Sequence, residues 1–203
     1  MATPSADQFL KGVEEFEKNE KRDAMYRVAT FLVGHFWGKP VDMADGLGVL
    51  LLTWNQAFYR YGVFDFDKLE GCIARNIHVL DTFRSRDIST LSSIDEGHIK
   101  DLFVDFLDAL QIQTGKEKGR KSPVAVAKAL HMLAPGFFPL RDERIARAYG
   151  CHYSRNPQDQ YVSFCRITRN IAGELRSVFT RSDKTLVKLI DGYNYSRYTK
   201  KWI

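Results

Sequence analysis

The spacing of apolar residues is the feature that most restricts the fold of this chain. In segment after segment, apolar side chains recur at intervals of three or four residues, which is the repeat of one helix face. One such series consists of Ile99, Leu102, Phe103 and Phe106. No segment alternates convincingly between apolar and polar residues, and only short β pairing around residues 62–67 stays open. The pattern therefore predicts an all-α protein.

Helix start and stop signals divide the chain into about eight helices. A Ser-Pro pair at Ser122 and an aspartate at Asp142 each predict a helix start. The helix that follows Pro40 is expected to reach Gly62, and the charged run 17–23 is either a solvated helix face or a junction. Further helices are expected from Asp65 or Asp67, from about Gln160 to Phe179, and from Lys184 to Tyr193. We expect one domain of residues 1–203, built as a compact bundle or as two lobes around a cleft.

Composition excludes several classes of protein. With 203 residues, of which 44% are hydrophobic, the chain can bury a substantial core. Its three cysteines, Cys72, Cys151 and Cys165, lie far apart without a CxxC motif, so neither a disulfide framework nor a zinc site is expected. We likewise expect no metal and no cofactor.

The ends and the charge of the chain indicate where it acts. The first residues form no signal-type apolar run, and the longest apolar stretch, Leu47 to Thr53, is too short to cross a bilayer. These features predict a soluble, cytoplasmic protein with no membrane partner, and a monomer is favoured. A net charge of +5 is compatible with a phosphate-rich partner but does not require one.

Two residues of the segment Ser122–Gly150 give the strongest indication of a reactive site. Lys128 stands among apolar helix neighbours, so it is either a lysine that extends from a helix edge into water or a partly desolvated amine able to act as a nucleophile. Asp142 is either an ordinary helix cap or a carboxylate held ionised beside a reacting centre. The two residues together predict a lysine nucleophile and a carboxylate that stabilises positive charge.

The run from Lys128 to Gly150 resembles the core of the helix-hairpin-helix DNA glycosylases. In that superfamily a lysine is followed by a proline-containing turn, after which an aspartate, an aliphatic residue and an arginine open the next helix. The matching residues here are Pro139, Asp142, Ile145, Arg147 and Gly150. The segment SPVAVAK stands in the place of the superfamily's Gly-x-Gly hairpin. The resemblance implies an all-helical fold with a cleft, in which Asp142 is essential for base excision and Lys128 is the Schiff-base lysine of members that also cut the strand.

Cleavage of a nucleoside suits these residue types on chemical grounds. Breaking the glycosidic bond builds positive charge on the sugar, which a nearby carboxylate stabilises. The target base must leave the stack and enter a pocket lined by aromatic and amide side chains. Candidates for substrate binding are Trp54, Gln56, Phe58 and His131. The alternative is that these aromatic residues and the histidine belong to the core.

Contacts with DNA phosphates are expected from a basic loop just before the lysine helix. The candidates are Lys116, Lys118, Arg120, Lys121 and, on the following helix, Arg144. The loop could equally be solvated and without a partner. The tail Tyr193–Lys201 mixes tyrosines with basic residues, which suits either contact with a single strand or packing on the domain.

The sequence thus predicts a DNA base-excision glycosylase that acts on duplex DNA containing a damaged base, with or without Schiff-base AP-lyase activity. One alternative is a non-catalytic helical DNA-binding module. Another is a helical protein-interaction or defence-system protein with no nucleic-acid role. The observation that separates them is whether the Lys128 amine and the Asp142 carboxylate face one cleft open to solvent.

Overall fold

The computed structural model describes residues 3–20, 23–177 and 184–203, and this part of the chain is helical and contains no strand. Its first five α-helices are α1 (Ala6–Asn19), α2 (Ala24–His35), α3 (Pro40–Trp54), α4 (Phe66–Arg84) and α5 (Asp95–Ala109). The next four are α6 (Pro123–Leu133), α7 (Glu143–Ala148), α8 (Pro157–Leu175) and α9 (Leu186–Asn194). A 3₁₀ turn covers Ile88–Thr90, and a π-helix covers Tyr195–Lys200. The all-α prediction is confirmed; a glycosylase-like arrangement of the helices stays a prediction.

Helix starts follow the capping residues in the sequence. Ser122 accepts a hydrogen bond from the backbone N–H of Ala125 at 3.1 Å, and Pro123 occupies the first helical position of α6. Asp142 accepts from the backbone N–H of Ile145 at 2.8 Å and so starts α7. Both predicted helix starts are confirmed.

The helix predicted to reach Gly62 ends earlier, so this prediction is wrong. α3 ends at Trp54, and residues 55–58 form a turn. Asparagine competes for local hydrogen bonds and is a poor helix former, which favours an end at Asn55. The turn also lets Tyr59 enter the core, where its hydroxyl donates to the carbonyl of Leu110 at 2.9 Å.

The structure also defines two other helix boundaries. The charged run 17–23 contains a junction, because α1 ends at Asn19 and α2 begins at Ala24. The helix expected from about Gln160 begins at Pro157, whose fixed φ suits the first helical position. It ends at Leu175, and its expected end at Phe179 lies outside the described residues.

The turn between α6 and α7 is anchored in the core. Phe137 and Phe138 are fully buried, and both rings pack against Phe83 with centroids 4.7 and 5.0 Å away. The hydroxyl of Tyr161 donates to the carbonyl of Pro139 at 3.0 Å. One continuous hydrophobic cluster contains residues from all nine α-helices of the described chain. The turn is thus fixed by packing, and so is the angle between the helices that carry Lys128 and Asp142.

Close approach of α1 and α9 completes the frame of the site. A Cβ atom at Gly12 would lie 2.5 Å from Cδ2 of Tyr193, so the two helices pack at a distance that only glycine permits. α7 packs on the π-helix that directly follows α9. Within the described ranges, no helix has the length and apolar character needed to span a bilayer.

Candidate functional site

A cavity of about 800 Å³ lies where the ends of several helices meet. This volume is typical of small-molecule sites. Lys128 of α6 and Asp142 at the start of α7 both line it, so the lysine and the carboxylate face one cleft. The other lining residues are Phe16, Lys18, Asn19, Glu20, Asp23, Ala24, Met25, Trp54, Leu140, Arg141, Ile145, Lys188, Asp191 and Tyr195.

The amine of Lys128 is held by the end of α3. Its Nζ donates to the carbonyl of Trp54 at 3.0 Å and to Oδ1 of Asn55 at 2.7 Å. The same nitrogen lies 4.7 Å from the centre of the Trp54 ring. A neutral amine has two N–H donors and one lone pair. In the neutral form both donors of Lys128 are therefore satisfied by the protein, and the lone pair stays free for attack.

The environment of Lys128 shifts its protonation equilibrium toward this neutral form. Burial lowers the pKa of its amine to about 8, against the opposing effects of the Asp191 and Asp142 carboxylates. With a pKa of about 8, roughly a tenth of the amine is uncharged at pH 7 and about half at pH 8. Free amine in a solvent-reachable cavity is the form needed for nucleophilic attack on an electrophilic carbon.

The carboxylate of Asp142 is fixed at both oxygens. Oδ1 accepts from the backbone N–H of Ile145, as a helix cap does. Oδ2 accepts from the hydroxyl of Thr199, 2.5 Å away on the π-helix. Capping and facing the cavity are therefore compatible properties of the same side chain, because each oxygen has a second lone pair for a ligand.

A second buried amine lies in the same cavity. Lys188 is 2% exposed, and its Nζ lies 3.0 Å from Oδ2 of Asp191 and 3.2 Å from Oδ2 of Asp23. Burial alone would lower the pKa of Lys188, but the two carboxylates outweigh burial and raise it. Lys188 is thus an ammonium ion committed to two carboxylates, whereas the amine of Lys128 has only neutral hydrogen-bond partners.

The four residues predicted to bind substrate are placed differently from one another. Trp54 lines the cavity beside Lys128. Gln56 is exposed in the turn after α3 and does not line the cavity. Phe58 packs its ring against Tyr59 and lies beneath the guanidinium of Arg120, also away from the cavity. Trp54 and Phe58 do not share a helix face, because α3 ends at Trp54.

His131 supports the site from the core. Its side chain is fully buried, and Nδ1 donates to the carbonyl of Phe138 at 2.6 Å. Burial lowers the pKa of the imidazole to about 3, so the ring is neutral. Nε2 has no hydrogen-bond partner in the described part of the chain. As placed, His131 holds the α6–α7 turn and does not reach the cavity.

The basic loop is an ordered structure outside the cavity. Its ends are tied by hydrogen bonds from the N–H of Ile112 to the carbonyl of Arg120 and from the N–H of Gly119 to that of Ile112. Arg120 pairs with Glu117, and Lys121 lies 3.3 Å from Asp108.

The other predicted phosphate-binding residues differ in whether their charged groups already have a partner. Lys116 and Lys118 are exposed and have no ion pair within the described ranges. Arg144 is exposed on α7, and one of its N–H groups donates to the carbonyl of Thr199 at 2.5 Å. Within the described ranges, Lys116 and Lys118 are therefore the two cations of this set that can bind phosphate without first breaking an ion pair or a hydrogen bond.

Several residues at the site were not anticipated from the sequence. Asn55, Asp191 and Thr199 belong to segments far from Lys128 and Asp142 along the chain. The lysine within the apolar run LVKLIDGYN carried a usable signal, because it repeats the pattern seen around Lys128. No local pattern marks Asn55 or Thr199, whose roles depend on tertiary packing.

No cluster of three or more potential metal ligands occurs among residues that the structure describes. No protein-family model matches the chain, and no match was found among curated proteins or among solved structures.

Proposed function

We propose that this protein is a DNA base-excision glycosylase that removes a damaged base and also acts through a Schiff base. The observation that carries the proposal is that the amine of Lys128 and the carboxylate of Asp142 line one cavity. The resemblance of residues 128–150 to the helix-hairpin-helix glycosylases supports the same assignment. A base swung out of the duplex would enter the cavity beside Trp54, whose aromatic ring supplies an apolar wall.

Asp142 is assigned the stabilisation of charge at the sugar. As the bond between C1′ and the base nitrogen breaks, positive charge develops on the deoxyribose. A carboxylate fixed in advance stabilises this charge without having to reorganise during the reaction. The hydrogen bonds from Ile145 and Thr199 fix the position of the Asp142 carboxylate in this way.

Lys128 is assigned the nucleophilic step. The lone pair of its neutral amine attacks C1′, the base departs with the electrons of the glycosidic bond, and the base takes up the proton that the nitrogen loses. Opening of the sugar ring then gives an imine between Nζ and C1′. Loss of a proton from C2′ of the protonated imine and departure of the 3′ phosphate with the electrons of the C3′–O bond cut the strand. Water then hydrolyses the imine and releases the lysine. The contacts from Trp54 and Asn55 orient the amine for the first step.

Binding of duplex DNA is assigned to exposed cations outside the cavity. Lys116 and Lys118 are the best placed to bind phosphate because they have no competing ion pair within the described chain. Arg120, Lys121 and Arg144 would contribute after exchange of their present partners. Phosphate contacts position the duplex and carry no information about the damaged base.

The decisive variant for this function is Asp142→Asn, assayed on duplexes that carry a panel of damaged bases. Asparagine caps helices as well as aspartate does, and its amide can still meet the hydroxyl of Thr199, so stability should change by less than about 0.5 kcal/mol. Excision should fall by about 10²- to 10³-fold while DNA binding survives. Full activity in this variant would refute the assignment of Asp142. Duplex binding without excision of any base by the parent chain would instead support a non-catalytic DNA-binding module.

A further inference from the structure

We propose that Thr199, on the π-helix Tyr195–Lys200, is a positioning residue for the Asp142 carboxylate. The inference rests on the proposed function and deepens it, because it identifies a residue that sets the orientation of the charge-stabilising group. Its basis is the 2.5 Å contact between Oγ1 of Thr199 and Oδ2 of Asp142. No other side chain in the described part of the chain donates a hydrogen bond to this carboxylate.

The contact fixes a degree of freedom that the helix cap leaves open. The bond from Ile145 N–H holds Oδ1 but allows the carboxylate plane to rotate about it. The hydroxyl of Thr199 holds the second oxygen and so defines the plane. A defined plane serves a group that must meet a developing cation in one orientation.

Both the backbone and the side chain of Thr199 bind α7. Its carbonyl accepts a hydrogen bond from Arg144 of α7, and its hydroxyl donates to Asp142, which starts that helix. The π-helix is anchored to α1 by a hydrogen bond from Ser196 Oγ to the carbonyl of Gly12. Directly before it, Oδ1 of Asn194 in α9 accepts from Tyr149 Oη, and at its end the N–H of Trp202 donates to the carbonyl of Ser196.

The helix type supports a role beyond packing. π-helical geometry is rare and occurs often at functional sites. Here it brings Tyr195 to the cavity wall and Thr199 to Asp142 within one six-residue segment. The segment ends at Lys201, whose φ of 57° lies in the left-handed region. A regular α-helix would stagger the last residues differently and would not be expected to keep both contacts.

The test compares Thr199→Val, Thr199→Ser and the parent chain in single-turnover excision on the damaged-base panel. Valine keeps the shape and removes the donor, so excision should slow by about 10- to 100-fold, the effect of one hydrogen bond to a charged group. The dissociation constant for DNA should stay the same, and serine should restore the rate. In the Asp142→Asn background, Thr199→Val should cause no further loss, because the two residues act as one unit. Thr53→Val is the control, since the Thr53 hydroxyl bonds only to carbonyls of its own helix.

The outcomes separate this inference from the proposed function. If the parent chain is active and Thr199→Val excises at the same rate, only the positioning role of Thr199 is refuted. A parent chain that excises no base refutes the proposed function and the inference with it. Melting temperatures provide a readout independent of activity: the losses caused by Thr199→Val and Asp142→Ala should be non-additive if the two side chains are bonded. Additive losses would refute the contact whatever the activity.

Discussion

Oδ1 of Asn55 accepts a hydrogen bond from Nζ of Lys128 at 2.7 Å, so the residue directly after α3 holds the candidate nucleophile of α6. Asn55 is buried, and its carbonyl oxygen is neutral. It therefore orients the amine without stabilising the ammonium form as a carboxylate would. This contact gives a route to changing the charge of Lys128 without changing its position.

Asn55→Asp should suppress imine formation at neutral pH. A carboxylate at this distance from an amine raises the amine pKa by about one to three units, so the free-amine fraction at pH 7 should fall about tenfold or more. The measurement is the yield of borohydride-trapped protein–DNA adduct. Gln56→Glu is the matched control, since it adds the same charge at the neighbouring exposed position. Equal trapping by both variants would contradict the role of Asn55.

Trapping should also depend on pH in a defined direction. Because burial lowers the pKa of Lys128 to about 8, the trapping rate should rise about tenfold per pH unit below that value and level off above it. Lys128 also affects stability. The pKa of this amine in the unfolded chain is about 10.4. Between about pH 8 and about pH 10.4 the unfolded chain therefore binds a proton that the folded chain does not, so the free energy of unfolding should rise with pH over this range. A trapping rate that is flat between pH 6 and pH 9 would exclude Lys128 as the titrating amine.

Lys188 should matter for stability rather than for imine chemistry. Lys188→Met leaves the Asp23 and Asp191 carboxylates beside one another without a cation, and breaking a buried ion pair in this way costs about 3 to 5 kcal/mol. The control is Lys184→Met, which removes a more exposed partner of Glu17 and should cost no more than about 1 kcal/mol. Urea unfolding measures both variants. Similar losses of unfolding free energy in the two variants would show that the buried ion pairs of Lys188 contribute no more to stability than the more exposed pair of Lys184.

Salt dependence should distinguish the free cations of the basic loop from the paired ones. Neutralising Lys116 and Lys118 should reduce the slope of log affinity against log salt by about 1.8, that is about 0.9 per phosphate contact. Neutralising Arg120 and Lys121, which already pair with Glu117 and Asp108, should reduce it less. Removing all four charges should flatten the slope most. Absence of DNA binding by the parent chain at low salt would remove every nucleic-acid function.

The sequence predicted those parts of the site that depend on local patterns. Ser122 and Asp142 start their helices because capping is decided by a few neighbouring residues, and Lys128 was visible as a charge in an apolar helix. Asn55 was missed because its helix was expected to continue, and helix ends depend on which side chains the core accepts. Thr199 was missed because its partner is 57 residues away along the chain, a contact that no periodicity encodes.

The most direct test of the central claim is borohydride trapping on DNA that carries each of a panel of damaged bases, with the adduct mapped by peptide analysis. We expect a covalent adduct at Lys128 in the parent chain and in Lys18→Gln, which alters an exposed amine at the rim of the same cavity. Lys128→Gln should form no adduct and should cut no strand, while Asp142 supports residual base release. An adduct as abundant in Lys128→Gln as in the parent would contradict the account, and so would a panel in which no damaged base gives either excision or trapping.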